Sequence, residues 1–309
     1  MFNLTTLNGS WGYELQSKNT ILSLRLPNIE YSYLKPRQKL LDLFISNPSL
    51  KYIFTDGLIS SVITGVTITN ARKKTVSIFR ANAEASGLVA GLIRSKFFDE
   101  NLYRFIKTDI ELIRKINFTK SALVLRLFTG VGYEFNSTVN SDKRNNLPFF
   151  KQYFAGGPNS MRAWGLRKLG PGSTVKNFKD SLNKVPERYG DVQLEANIEY
   201  RFPAFTLSGV KVDAALFTDI GNVWFLKKVT GRPYQEVFNF NRLGKDLAVG
   251  VGLGFRVDFS FFVIRLDYSY KAKDPSPSVA NEYFQNKWFS YKLSQGQQFQ
   301  LGISYPFIL

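Results

Sequence analysis

The chain has 309 residues and carries 41 Lys and Arg residues against 24 Asp and Glu residues, which gives a formal net charge of +17. It contains neither Cys nor His, which excludes disulfides, thiol nucleophiles, His-based metal sites and Ser-His-Asp chemistry. No apolar run approaches the roughly 18 residues that a spanning helix needs, and the first thirty residues show no signal peptide. We therefore expect no helical membrane protein, no enzyme, no metal and no cofactor.

The chain is dominated by segments in which apolar and polar residues alternate with a period of two, the pattern of β-strands. The predicted strands are residues 8–16, 20–34, 58–70, 74–88, 102–116, 121–135, 191–202, 210–221, 246–258, 262–271 and 297–309. Residues 36–47 predict a short helix inside a loop. Many of these strands have about 12 residues, against a usual mode of about 5–6 in globular sheets, and such lengths suit tilted strands that cross a membrane.

The two faces of these strands differ in polarity. In 191–202 every odd position is polar or charged and every even position is apolar. A soluble sheet turns its apolar face inward, whereas a membrane barrel turns that face to lipid and lines a wet lumen with the polar face. Charged and small residues on the polar face, such as Glu195 and Gly250, and aromatic residues near strand ends, such as Tyr200 and Tyr268, favour the barrel. A large soluble antiparallel sheet is the alternative.

The basic residues are spread over turns and loops, as at 72–74 and at Lys227 and Lys228, with no recognition helix among them. This placement favours anionic lipid and lipopolysaccharide head groups as the counterpart of the positive charge. We expect no nucleic-acid partner.

The longest break between strands, residues 136–190, contains FAGGPNSMRAW at 154–164. Together with Ile198-Glu199-Tyr200 and FTDIG at 217–221 in the following strands, this loop resembles the BamA/TamA superfamily of outer-membrane assembly factors, closest to its TamA-like lipoprotein (TamL) branch. The resemblance covers 120–309 well. It implies an all-β transmembrane antiparallel barrel of 16 strands, of which this chain would supply about 11 or 12 C-terminal strands. It also implies that the extracellular loop folds back into the lumen.

The resemblance further implies a set of site residues. In the family, an arginine at the loop tip pairs with acidic residues on the inner wall of the barrel. By motif match the arginine is Arg162, the aromatic residue beside it is Trp164, and the acidic residues are Glu199 and Asp219. The period-two pattern independently places both acidic residues on the polar face. The remaining motif residues are Gly156, Gly157, Pro158, Asn159, Met161 and Ala163, and Ala163 stands where most members have glycine.

In function, the resemblance implies insertion or translocation of other outer-membrane β-proteins without ATP, through a seam that opens beside the last strand. Glycine and proline weaken a sheet ladder, so the last strand, 297–309, is expected to pair imperfectly. Its expected seam residues are Phe299, Gly302, Tyr305, Pro306 and Phe307. The alternatives are a passive or two-partner-secretion type channel and a soluble β-rich binding protein. Expected partners are the lipid bilayer, client outer-membrane proteins, and periplasmic or barrel polypeptides.

We expect residues 1–309 to form a single barrel domain in the bacterial outer membrane, without POTRA domains. Too few strands precede the loop for the family barrel, and an odd strand count does not match the even number of bacterial single-chain barrels. The chain is therefore expected to be the C-terminal part of a longer protein.

Overall fold

The structure, a computed structural model, describes residues 2–36, 38–46, 56–93, 95–135, 147–175, 188–207, 209–229, 232–259 and 262–303. Within these ranges, eleven antiparallel strands form one sheet in which neighbours follow chain order. The strands are β1 (Phe2–Gln16), β2 (Thr20–Pro36), β3 (Gly57–Arg72), β4 (Thr75–Ser86), β5 (Phe105–Asn117), β6 (Ala122–Glu134), β7 (Val192–Leu207), β8 (Val210–Trp224), β9 (Ala248–Asp258), β10 (Val263–Lys273) and β11 (Gln297–Ile303).

The helices are short and lie in the connections between strands. They are α1 (Gln38–Ser46), α2 (Lys96–Asn101), α3 (Leu243–Asp246) and α4 (Leu293–Gly296). Five 3₁₀ segments join them in the described chain, at Ala90–Leu92, Phe149–Lys151, Tyr234–Glu236, Phe240–Arg242 and Val279–Phe284. None of the helices in the described ranges is long and apolar enough to cross a bilayer.

All eleven strands predicted from the period of two are present, and the helix predicted within 36–47 is α1. Strand ends differ where the pattern is weak. β1 begins at Phe2 rather than at residue 8, and β7 continues to Leu207 rather than ending at 202. The register of β7 shifts between Pro203 and Phe205. Such a bulge accommodates proline within a strand, because proline has no N–H to donate to the ladder.

The sheet turns its apolar face outward and its polar face inward. Leu216, Leu253 and Leu301 lie on the outer face and are 54%, 47% and 61% exposed, whereas Glu199 and Asp219 on the inner face are 0% exposed. A soluble sheet would bury the first set and expose the second. The arrangement therefore confirms the transmembrane barrel and contradicts the soluble alternative.

The connections at the two ends of the strands differ in length. The strand ends that are joined by long connections, residues 37–56, 87–104, 135–191, 225–247 and 274–296, lie at one end of the sheet. Short turns, residues 17–19, 73–74, 118–121, 208–209 and 259–262, lie at the other. In outer-membrane barrels the short turns face the periplasm and the longer loops face outward. The sheet is not closed, since within the described ranges β1 pairs only with β2, and β11 only with β10.

The largest apolar cluster of the described chain lies inside the curved sheet and is built mainly from the loop after β6. Its buried members are Tyr153, Ala155, Met161, Ala163, Trp164, Leu169, Val223 and Ala248. The inner face makes room for this loop with glycine. A Cβ at Gly130 on β6 would lie 2.5 Å from the ring of Tyr153, so the aromatic side chain occupies the space that a larger residue on β6 would fill.

Candidate functional site

The loop after β6 enters the lumen as a tight hairpin whose tip is residues 154–164. Its two arms meet in a bridge between Ala155 and Leu169. Gly156 and Gly157 have φ values of 106° and 98°, a region that only glycine adopts readily. Any side chain at Gly156 would also run into the carbonyl of Gly165. These two motif glycines therefore set the turn that presents the tip to the wall.

Arg162 is fully buried at this tip, where it donates hydrogen bonds to two carboxylates of the wall and lies 3.9 Å from a third, Asp267 of β10. Its Nε and Nη2 donate to Asp219 of β8 at 2.9 and 2.8 Å, and its Nη1 donates to Glu199 of β7 at 2.5 Å. Its backbone N–H also donates to Asp219, at 3.0 Å. The guanidinium and both carboxylates have no solvent-exposed area. The planar guanidinium fork suits this paired recognition, which a lysine does not reproduce.

Three further residues hold Arg162, and motif matching to acidic partners missed them. The guanidinium carbon lies 3.4 Å from the ring centroid of Phe217, a cation–π geometry. The Arg162 carbonyl accepts hydrogen bonds from Ser269 of β10 at 2.8 Å and from Gln300 of β11 at 3.3 Å. Arg162 thus contacts β7, β8, β10 and β11. The alternating pattern places Phe217 and Ser269 on the polar face, which is the signal that points to them.

A chain of ion pairs continues from Glu199 toward the last strands. Glu199 lies 3.1 Å from Arg256 of β9, and Arg256 donates to Asp267 of β10 at 2.6 Å. Arg265, also on β10, donates to the motif residue Asn159 at 2.8 Å. Sequence reasoning placed these side chains on the polar face without assigning them to the site. Their partners become visible only when the strands are in register.

A second chain of polar contacts runs from the loop tip in the other direction. Ser160 donates to Glu195 of β7, and Arg126 of β6 donates to Glu195 at 3.0 Å. Arg126 also donates to Asn197 at 3.0 Å, and Asn197 donates to Asp219 at 2.9 Å. Charged and amide side chains therefore connect the loop tip to the strands on both of its sides.

Trp164 and Ala163 pack on the wall rather than joining the ion pairs. Trp164 is 2% exposed and belongs to the apolar cluster inside the sheet, as does Met161. Ala163, which replaces the family glycine, fits because it faces Gly250 of β9, where a Cβ would lie 2.7 Å from the Cβ of Ala163. The alanine methyl occupies space that Gly250 leaves open. Pro158, the other motif residue, is partly buried.

The predicted seam residues fall into two groups. Phe299 lies on the outer face of β11 and is 58% exposed. Gly302 pairs with Arg265, and a Cβ there would lie 2.5 Å from Nη2 of Arg265, so this glycine gives space to an arginine. The pairing of β11 with β10 continues through Gly302 without a register shift. Tyr305, Pro306 and Phe307 lie outside the described residues.

The loop is also anchored by contacts that lie outside its tip. On the opposite wall, Lys151 lies 2.9 Å from both Glu30 of β2 and Glu84 of β4. At the outer end, buried Asp246 of α3 accepts from Ser173 at 2.7 Å and from the Trp224 indole at 3.1 Å. The described residues contain no group of three His, Cys, Asp or Glu side chains arranged to hold a metal ion. The site is therefore an anchored loop built from ion pairs and packing.

Comparison with known proteins agrees with this geometry. The family model of the Omp85 superfamily domain matches residues 81–307. The fold is similar to that of BamA from Haemophilus ducreyi lacking POTRA domains 1–3, with 14% identity over 98% of this chain and 54% of that chain and a TM-score of 0.59. It is also similar to CdiB from Escherichia coli, with 12% identity over 98% of this chain and 45% of that chain and a TM-score of 0.51.

These identities show a shared fold alone, and the chain spans about half the length of the solved structures that it matches. No curated protein sequence matches the chain. The family match covers most of the chain, and the inward polar face with its inserted loop agrees with it. The chain therefore belongs to the Omp85 superfamily and is a β-barrel protein of the bacterial outer membrane.

Proposed function

We propose that this chain is the barrel portion of an assembly factor of the TamA-like lipoprotein (TamL) branch, which inserts or translocates other outer-membrane proteins. The observation that carries the proposal is the Arg162 anchor, which ties the inserted loop to β7, β8, β10 and β11. The anchor holds the wall beside the last strand, so that the edge can exchange partners while the rest of the barrel keeps its shape. The proposed role is not enzymatic.

The edge at β11 supports the proposal. Its described part has seven residues and pairs only with β10. In the complete barrel this edge would meet the first strand at the seam, and an edge released there is a template for another strand, because its N–H and C=O groups then lack partners on one side. Phe299, Leu301 and Ile303 project from the outer face of this edge and are 58%, 61% and 77% exposed. A client strand that adds to β11 would bring its own outward side chains alongside these three in the bilayer.

A passive or two-partner-secretion type channel is the alternative. The described residues of the loop contact the inner side of the sheet from β6 to β10. A conducting path would have to pass beside the loop or displace it. The observed packing therefore favours the assembly factor.

The first test replaces Arg162 by alanine in the full-length protein, in cells that depend on it. Lys228, an exposed loop lysine, is replaced by alanine as a control that removes the same charge. We expect lower levels of folded client barrels with Arg162→Ala and normal levels with Lys228→Ala. Normal client levels in both strains, together with a pore current that survives the Arg162 substitution, would favour the channel.

The second test places a photocrosslinking amino acid at Leu301 on the edge strand and, as a matched control, at Leu216. Both side chains lie on the outer face with similar exposure, 61% and 54%, but Leu216 belongs to an interior strand that is paired on both sides. Light-dependent adducts with a client during its assembly are expected at position 301 alone. Equal crosslinking at both positions would show lateral contact without strand addition.

This proposal implies three kinds of partner: client outer-membrane proteins, periplasmic or barrel polypeptides, and anionic lipids including lipopolysaccharide. Exposed cationic residues at the ends of the barrel, including Lys73, Lys74 and Lys228, are suited to anionic head groups.

A further inference from the structure

The connection between β4 and β5 carries a group of exposed apolar side chains that the loop anchor does not use. We define the rim flap as residues 87–93 and 95–98, which include the 3₁₀ turn Ala90–Leu92 and the start of α2. Leu88, Val89, Leu92, Ile93 and Phe97 are 50%, 69%, 78%, 52% and 49% exposed. Residues 87–93 carry no charged side chain.

The rim flap is fixed to the outside of the barrel wall. Its residue Ala90 is buried with Leu58 and Leu102, and Phe98 and Tyr31 pack against this cluster. The side chain of Phe97 reaches the ring of Tyr31, with 6.2 Å between centroids.

The face of the wall that the flap covers follows from register and from the inner contacts. Tyr31 on β2 pairs with Leu58 on β3. Glu30, which precedes Tyr31 on β2, contacts Lys151 of the inserted loop and therefore points into the lumen. Because successive strand residues point to opposite faces, Tyr31 and Leu58 point outward. The flap therefore lies on the lipid-facing side, at the end of the barrel that carries the long loops.

We propose that the rim flap is a membrane contact that inserts into the acyl chains of the outer leaflet. Its apolar side chains continue the lipid-facing surface of β2 and β3, so the lipid that contacts these strands also contacts the flap. Apolar area removed from water is favourable by about 25 cal/mol per Å². Four of the exposed apolar side chains lie in the uncharged stretch 87–93, and Phe97 lies just after it, so all five gain this free energy when they enter an apolar medium. Lys96, at the start of α2, is exposed beside them and is placed for a head-group phosphate.

The absence of native cysteine allows a direct test by site-specific labelling. Leu92→Cys carries an environment-sensitive fluorophore in protein reconstituted into phosphatidylcholine vesicles, some of whose lipids bear a nitroxide near the carbonyl end of an acyl chain. Leu216→Cys, on the outer face of an interior strand, is the lipid-exposed control. Phe240→Cys is the loop control. Phe240 is 76% exposed, but its ring meets that of Phe238 edge to face, and Phe238 packs in the same way on the inner residue Trp224.

The expected result is a blue-shifted label at position 92 that the nitroxide quenches several-fold more than the label at position 240. The quenching should correspond to a depth of roughly 5–10 Å into the head-group and acyl boundary. Val89→Cys serves as the second variant if Leu92→Cys fails to fold. A label at 92 with the emission and quenching of the label at 240 would overturn the proposal. A blue-shifted label that lipid nitroxides do not quench would also overturn it, since that result indicates a protein partner.

Discussion

Replacing Arg162 by alanine is the sharpest test of the loop anchor. The substitution removes three side-chain hydrogen bonds, two to Asp219 and one to Glu199. Both carboxylates then remain buried in the wall without the guanidinium. The ring of Phe217 also loses its cationic partner. We therefore expect the loop tip to leave the wall far more often than in the unmodified protein.

The magnitude follows from the complete burial of the three groups. Removing one partner of a buried ion pair typically costs about 3–5 kcal/mol when the remaining charge is left uncompensated. Glu199 keeps Arg201 and Arg256 as cationic neighbours, so the cost falls mainly on Asp219. A free energy of about 3–5 kcal/mol corresponds to roughly a 2 × 10²- to 5 × 10³-fold larger opening equilibrium for the loop tip. The opening equilibrium of Arg162→Lys should lie between those of the unmodified protein and Arg162→Ala, since lysine keeps the charge but loses the planar fork.

Hydrogen–deuterium exchange in reconstituted protein measures this opening directly. The Arg162 backbone N–H donates to Asp219, so peptides that cover 154–164 report the anchored state. Exchange in these peptides should accelerate in the alanine variant, while peptides from β3 and Lys228→Ala protein should exchange as before. Unchanged exchange in 154–164 would refute the reasoning, because it would show that the apolar cluster holds the loop without the ion pairs.

Two further predictions concern the wall position that the loop tip packs against and the outer end of the loop. Gly250→Val should displace the loop tip, because a Cβ at this position already meets the Cβ of Ala163 at 2.7 Å. We expect faster hydrogen–deuterium exchange in residues 154–164 while the strands stay intact. Normal exchange in these residues would contradict the packing argument. Burial raises the pKa of Asp191, just before β7, to about 6 from an ordinary 3.8, although the backbone N–H groups of Leu147 and Leu226 donate to it and act in the opposite direction. Its stabilising contribution is therefore fully present below about pH 4 and is lost as the pH rises through about 6, a change of at most about 3 kcal/mol. Protease resistance near residue 147 should fall over this range in the unmodified protein and stay flat in Asp191→Asn, and equal pH profiles would contradict the assignment.

The alternation of side chains was sufficient to predict the strands. A period of two survives in almost every segment because each strand has one face toward lipid and one toward the lumen, and these environments select opposite side chains. It was weakest at 2–7 and around Pro203, where the strands extend further than predicted. The alternation within a segment does not show where hydrogen bonding to a neighbouring strand extends a strand beyond its alternating residues.

The site was predictable only in part. Motif match and face assignment together selected Arg162, Glu199 and Asp219, which the structure brings into direct contact. The alternating pattern places Ser269 on the polar face, but it does not show that Ser269 and Gln300 meet the Arg162 carbonyl, because these contacts join residues more than a hundred positions apart. The fit of Ala163 against Gly250 likewise depends on how deep the loop reaches.

The sequence by itself determined the element types and the difference in polarity between the two faces of each strand, because these follow from short-range periodicity and from the solvent on each side. Tertiary structure alone decided which polar residues become partners. The register between strands, such as Asp267 beside Gly254 on the neighbouring strand, sets which charges meet. The path of the inserted loop then decides which of them are buried and require an arginine, since a carboxylate shielded from water is stable only beside a compensating charge.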